Sequence, residues 1–271
     1  MIRPRETPSC GFTRLPYELI PLIAQYLDDN DLTSFAALLP RDPLYTRTVQ
    51  WALLSHVTIT TYARYANLTR TLQSVSTPER CMDLASMVQS ITAILNTRPS
   101  RGEQRFIAKD LLNLYVQCPE LRHITLLGAQ DDRFPEHLPP GPEDLTLVET
   151  LDNIHRLTIT GPLGYLAPSL LLGLPALREL HILGGPMYFR LAQPPRSGSQ
   201  IRRITWESET TPTLQVIKWI CAYSTEVVGG NITLRTPPAS ISELGRIRQY
   251  ALSRNMSFSS PPVPQHGMEV V

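Results

Sequence analysis

The 271-residue chain carries 25 Lys and Arg against 24 Asp and Glu, a net charge of +1. That balance removes any global attraction to nucleic acid or to an anionic membrane surface. Hydrophobic residues make up 42% of the chain, enough for a sizeable core.

The first ten residues, MIRPRETPSC, lack the apolar stretch of a secretory signal. The longest apolar run, near 165–177, is broken by Pro168 and Pro175 and is too short to span a bilayer. A reduced intracellular protein of the cytoplasm or nucleus is expected, with no membrane partner. Cys10, Cys81, Cys118 and Cys221 have neither zinc-ligand spacing nor the density of a disulfide framework.

Residues 1–11 read as a disordered tail. From Phe12 apolar residues take helical spacing: Leu19, Ile20, Ile23 and Leu27 share one helix face. Pro16 suits the first turn of that helix, where a missing N–H costs nothing. Pro21 would then lie inside it, where a proline costs roughly 3 kcal/mol, so a kink there or a later helix start is expected. Asp29 or Asn30 can cap a second helix with Leu32, Phe35, Leu38 and Leu39, stopped by Pro40 and Pro43. A third helix is expected over 44–54. Residues 12–55 thus form a three-helix unit.

The pattern then changes. Six blocks read apolar, two spacers, apolar, spacer, apolar, and a weaker seventh is led by Gly229. Their centres are Val57, Ile91, Ile124, Leu157, Leu180, Ile204 and Ile232. The intervals are 34, 33, 33, 23, 24 and 28 residues, and threonine follows the centre in six of the seven. Repeats of this length imply a solenoid of stacked units with parallel strands. Crossover helices are expected over 62–74, 103–117 and 213–223, and a closing helix over 240–254. Residues 130–142 and 184–198 are Pro- and Gly-rich loops. The repeat domain covers 56–258, and 259–271 form a second tail.

Alternation in a strand turns the residues flanking each block centre outward. In the first four blocks that face is bland, from His56, Thr58 and Thr60 to Arg156, Thr158 and Thr160. Later it becomes charged, and Glu179, His181, Arg203, Glu207 and Arg235 are the candidate substrate-binding residues. Nothing points to catalysis. There is no phosphate loop, nucleotide fingerprint, nucleophile elbow or zinc-protease motif. His56, His123, His155 and His181 lie in successive repeats and do not form a ligand set. Cys118 precedes Pro119 without an activating partner, and Trp206 and Trp219 have core phase. No cofactor, metal or catalytic residue is expected.

The N-terminal unit resembles the F-box. Leu15, Pro16, Glu18 and Leu19 match its Leu-Pro-x-Glu-Leu opening, Ile23 and Leu27 its helical spacing, and Asp31-Leu32 the start of its second helix. The match covers about 40 residues. Pro40-Arg41-Asp42-Pro43 stands where that family has a polar-aromatic stretch. The following blocks resemble irregular leucine-rich repeats of fungal F-box-like proteins. Only Asn96 occupies the asparagine position of the regular repeat. The resemblance implies a non-enzymatic subunit that binds a Skp-like adaptor, and through it a cullin ubiquitin ligase, by Leu15, Pro16, Glu18, Leu19, Ile23, Leu27 and Leu32. The repeat domain would take a protein substrate. A repeat scaffold unrelated to ubiquitin is the other reading left open.

Overall fold

The computed structural model describes residues 16, 18–24, 34–35, 43–73, 78–95, 114–128, 151–160, 174–184, 201–209, 211–222 and 230–263. The fold is α/β and solenoid-like. Eight strands form one open sheet in strict chain order, and every neighbouring pair is parallel. They are β1 (His56–Ile59), β2 (Ser90–Leu95), β3 (His123–Gly128), β4 (Arg156–Thr160), β5 (Glu179–Gly184), β6 (Arg203–Ser208), β7 (Gly230–Leu234) and β8 (Met256–Ser259).

The register follows the sequence blocks. Val57, Ile91, Ile124, Leu157, Leu180, Ile204 and Ile232 are direct partners from strand to strand, and Phe258 continues the row. From Ile91 to Ile232 each has no exposed surface. Two residues on, Ile59, Ala93, Leu126, Ile159, Ile182, Trp206 and Leu234 make a second buried row. A one-residue slip would turn both rows to the outer face, so burial itself specifies the register.

A third apolar level precedes the strands. The N–H groups of Val88, Leu121, Ile154 and Leu177 donate to the carbonyls of Ala85, Cys118, Leu151 and Leu174, three residues back. Both ends of each of these turns are buried. Cys118 is therefore one member of an apolar row. Burial pushes its thiol up to about 12, and that of Cys221 up to about 11. Both behave as small hydrophobes rather than as nucleophiles.

Parallel strands require crossovers, and helices supply those that the described residues include. The described helices are α1 (Leu19–Ala24) and α2 (Pro43–Ser55), which precede β1, and α3 (Tyr62–Gln73), α4 (Pro78–Met87), α5 (Leu214–Ala222) and α6 (Ile241–Ser253), which lie in crossovers. Tyr65, Leu68 and Leu72 bury one stripe of α3 against the core. α2 runs directly into β1, and Arg47 Nη2 donates to Asp83 Oδ1 at 2.9 Å to tie α2 to α4. At the other end Ser240 caps α6 by accepting from the Glu243 N–H. The Glu243 carboxylate does not close the usual capping box. It accepts from the Leu214 N–H at 2.6 Å and so caps α5 as well.

Several expectations need correction. The first helix starts at Leu19, not at Pro16, whose carbonyl instead accepts from the Leu19 N–H in a preceding turn. Pro21 is then the third helical residue, in the first turn, where no intrahelical acceptor waits for an N–H. Of the two outcomes expected at Pro21, the later helix start is the one observed, and the mid-helix cost does not arise. α4 was not foreseen, and neither was β8, whose last residue, Ser259, is the first residue of the expected second tail. Of the helix expected over 103–117, the described residues 114–117 are helical. The loops at 130–142 and 185–198 lie outside the described residues, as do both extreme tails. Of the second helix in the N-terminal unit, Ser34 and Phe35 are described, and both are helical.

Candidate functional site

The outer face of the sheet consists of three rows in register. The middle row is Thr58, Thr92, Thr125, Thr158, His181, Thr205, Thr233 and Ser259. It is a ladder of hydroxyls interrupted once, by His181. Neighbouring strands lie roughly 4.8 Å apart, so the ladder is a regular polar strip of small side chains. The row toward the strands' C-terminal ends holds Ile94, Leu127, Thr160, Leu183 and Glu207. The row toward their N-terminal ends holds His56, Ser90, His123, Arg156, Glu179, Arg203, Asn231 and Ser257.

Charge is concentrated in that last row. Glu179 stands between Arg156 and Arg203 on the flanking strands and accepts from Arg156 Nε and Arg203 Nη1, each at 2.7 Å. Burial alone would raise the Glu179 carboxyl, but the Arg156 hydrogen bond, the Arg156 charge and Arg203 together hold it below its ordinary value. His181 Nε2 lies 3.7 Å from Glu179 Oε2, too far for a hydrogen bond, and has no other acceptor or donor. Burial lowers its pKa first. The carboxylate of Glu179 opposes that shift, and Arg156 and Arg203 add to it. His123 is pushed down by burial and then by Arg156, with Glu179 opposing. These histidines are thus kept toward their neutral form.

Three of the five candidate substrate residues, Glu179, His181 and Arg203, form this cluster. Glu207 and Arg235 form a separate pair at 2.7 Å toward the opposite end of the strands. Glu207 is four residues along β6 from Arg203, about 13 Å at the rise of a strand. The five thus fall into a cluster and a separate pair on one strip of the sheet. Arg156, which the sequence pattern assigned to a bland part of the face, belongs to the cluster as the partner of Glu179. The sequence reading missed it because charge was compared along each block, while the pairing runs across strands.

Of the residues matching the F-box pattern, Pro16, Glu18 and Leu19 are exposed and Ile23 is half-buried. Leu15, Leu27 and Leu32 lie outside the described residues. The apolar side of α1 is not wholly covered. Ile20 is fully buried, while Leu19 and Leu22, one turn apart, are 40% and 53% exposed. Of the residues expected on one helix face, Ile20 is buried, Ile23 half-buried and Leu19 exposed.

Among the described residues no three His, Cys, Asp or Glu side chains converge to hold a metal ion, and no helix is long and apolar enough to cross a membrane. Trp206 and Trp219 are 1% and 6% exposed and belong to the core. No family model, characterised protein or solved structure matches the chain.

Proposed function

We propose that this chain is the substrate-recognition subunit of a Skp–cullin–F-box type ubiquitin ligase. Its N-terminal unit binds the Skp-like adaptor, and its repeat domain holds a protein substrate. The observation that carries the first half is the apolar exposure of Leu19 and Leu22 on α1, in the segment whose residues match the F-box opening. Exposed large apolar side chains that adjoin one another mark a surface made for a partner. Leu15, Pro16, Glu18, Leu19, Ile23, Leu27 and Leu32 are the adaptor contacts on this reading. The second half draws support from the outer sheet face. Stacked repeats offer such faces for recognition, and the cluster of Glu179, Arg156, Arg203 and His181 gives this one a specific charge pattern. The chain contributes proximity and orientation, while other subunits perform the transfer. It works without a cofactor, in the cytoplasm or nucleus.

The test is co-expression of the full chain with a Skp-like adaptor, followed by titration of the purified proteins. Burying one large apolar side chain contributes roughly 1.5–3 kcal/mol, and about 1.4 kcal/mol is tenfold in affinity. Wild-type protein should bind at micromolar concentration or below, and Leu15→Ala with Pro16→Ala should weaken binding at least tenfold. Absence of binding by folded full-length protein at micromolar concentration would overturn the proposal.

A further inference from the structure

The residue just before each outer row also runs in register across the sheet. Along this rim His155 N–H donates to the Arg122 carbonyl at 2.8 Å, Arg178 N–H to the His155 carbonyl at 2.9 Å, and Arg202 N–H to the Arg178 carbonyl at 2.8 Å. Arg122, His155, Arg178 and Arg202 are therefore neighbours on four consecutive strands. The adjoining row on the same strands is His123, Arg156, Glu179 and Arg203. These eight positions hold five arginines, two histidines and one glutamate, in a chain whose net charge is only +1. In sequence they are the two spacers of four successive blocks: Arg122-His123, His155-Arg156, Arg178-Glu179 and Arg202-Arg203.

The strip is open and under-compensated. Arg122, Arg156, Arg178, Arg202 and Arg203 are all exposed. Glu179 serves Arg156 and Arg203 together, and Arg122 has Glu120 at 3.3 Å. Among the described residues no carboxylate pairs with Arg178 or Arg202, although the two are adjacent in register. Like charges directly opposite on neighbouring strands are destabilising. The crowding also reaches His155, whose pKa is lowered by burial and then by Arg178 and Arg122. The core rows hold the sheet without these arginines, so the fold itself gives no reason for the repulsion. A carboxylate-bearing partner would relieve it, since guanidinium groups bind carboxylates in a matched, two-pronged geometry.

We propose that this N-terminal rim of the sheet, centred on Arg122, Arg178 and Arg202, is the docking site for an acidic, Asp- and Glu-rich segment of a protein partner. Four strands at roughly 4.8 Å spacing span about 14 Å, matching about four residues of extended chain. A protein segment fits better than nucleic acid. Neither row contains a Phe, Tyr or Trp platform for base stacking, and Glu179 sits in the middle of the strip, where it repels a phosphate backbone. The inference deepens the reading of the repeat domain as the substrate-binding half. It does not depend on the adaptor contact.

The experiment is fluorescence anisotropy on the full chain with a labelled peptide of consecutive glutamates. A glutamine peptide of equal length, a phosphoserine peptide and a single-stranded RNA of equal charge serve as comparisons. The glutamate peptide should bind, with affinity falling as salt rises. Arg122→Glu, Arg178→Glu and Arg202→Glu together should weaken it at least about tenfold. The corresponding triple Lys variant, which keeps the charge, should bind within a few-fold of wild type. If the triple Glu variant does not fold, a triple Gln variant carries the same test. No binding of the glutamate peptide, binding unchanged by loss of the three charges, or binding only of RNA or phosphoserine peptide would overturn the assignment. Adaptor binding measured on the same preparation separates the two ideas. Its loss with peptide binding intact removes the ubiquitin reading alone, and the reverse removes the rim site alone.

Discussion

The N-terminal helix and the repeat sheet treat apolar side chains in opposite ways. On α1, Leu19 and Leu22 remain 40% and 53% exposed beside a fully buried Ile20. On the sheet, the two apolar rows from Ile91 to Ile232 are closed to solvent, and the outer face is a ladder of hydroxyls with a charged row on the N-terminal side and a half-buried, mostly apolar row on the other. The sheet meets its folding requirement internally and turns mainly polar groups outward. The helix leaves part of its apolar side unpaid within the chain, and a partner can cover it. The two regions thus suit different kinds of contact: one apolar, the other chiefly polar and ionic.

The sharpest contrast is in core truncation. Leu157→Ala removes a side chain with no exposed surface from the central row. Such a change should cost about 2–5 kcal/mol, because a cavity is left between rigid neighbours. Leu22→Ala, at an exposed position, should stay within about 0.5 kcal/mol. Chemical denaturation of both variants checks this, and equal losses would break the distinction between the regions.

Next in size is Gly230→Ala, at the place where the basic rim ends. A Cβ at Gly230 would drive into the carbonyl oxygen of Arg202, which is backbone and cannot swing aside. That carbonyl already accepts from the Asn231 N–H at 2.7 Å. Overpacking of this kind costs typically 1–3 kcal/mol. A melting temperature unchanged from wild type would show that β6 and β7 are not held this closely.

Much of the sheet was legible because the block pattern encodes register as well as strand identity. Each centre is a large apolar residue, and threonine after it suits a half-buried pleated surface. β8 escaped because Met256 and Phe258 alternate with serines but lack the leading apolar residue of a block; Asn255 stands there, in the left-handed conformation that ends α6. α4 escaped because its sequence, PERCMDLASM, shows only a short apolar stripe, although Pro78 at its first position is a good start signal. The candidate site was legible only by halves. Charges on one strand are visible in order, but the pairing of Arg156 with Glu179, or of Arg178 with Arg202, exists only once strands 23 and 24 residues apart are set side by side.

A smaller effect should follow Glu243→Ala. The carboxylate accepts from the Leu214 N–H, so its loss uncaps α5. A cap of this kind is worth about 1 kcal/mol. The loss should appear in thermal unfolding, and Glu243→Gln, which keeps an acceptor oxygen, should recover part of it.

Acidification should act on the outer cluster in one direction. His181 and His123 have folded pKa values below their ordinary 6.5, so the unfolded chain binds protons first. Stability should therefore begin to fall as pH drops below about 6.5. Glu179, held below its ordinary 4.5, adds stability that is present above that value and is lost as pH falls through its lower folded value. The melting temperature of wild type should decline between pH 7 and pH 5, and His181→Gln should flatten that decline. At neutral pH, Glu179→Gln should change stability by less than about 1 kcal/mol, since its arginine partners are well exposed. A larger loss would mean that the outer face supports the fold, contrary to the division drawn above.

The division between an apolar docking helix and a polar binding sheet is tested most directly by amide hydrogen exchange of the full chain, alone and with a Skp-like adaptor bound. The account predicts new protection confined to the N-terminal unit, around α1, with exchange in β2 to β7 unchanged. Protection spread over the sheet, or no protection around Leu19 and Leu22 in the presence of bound adaptor, would contradict it.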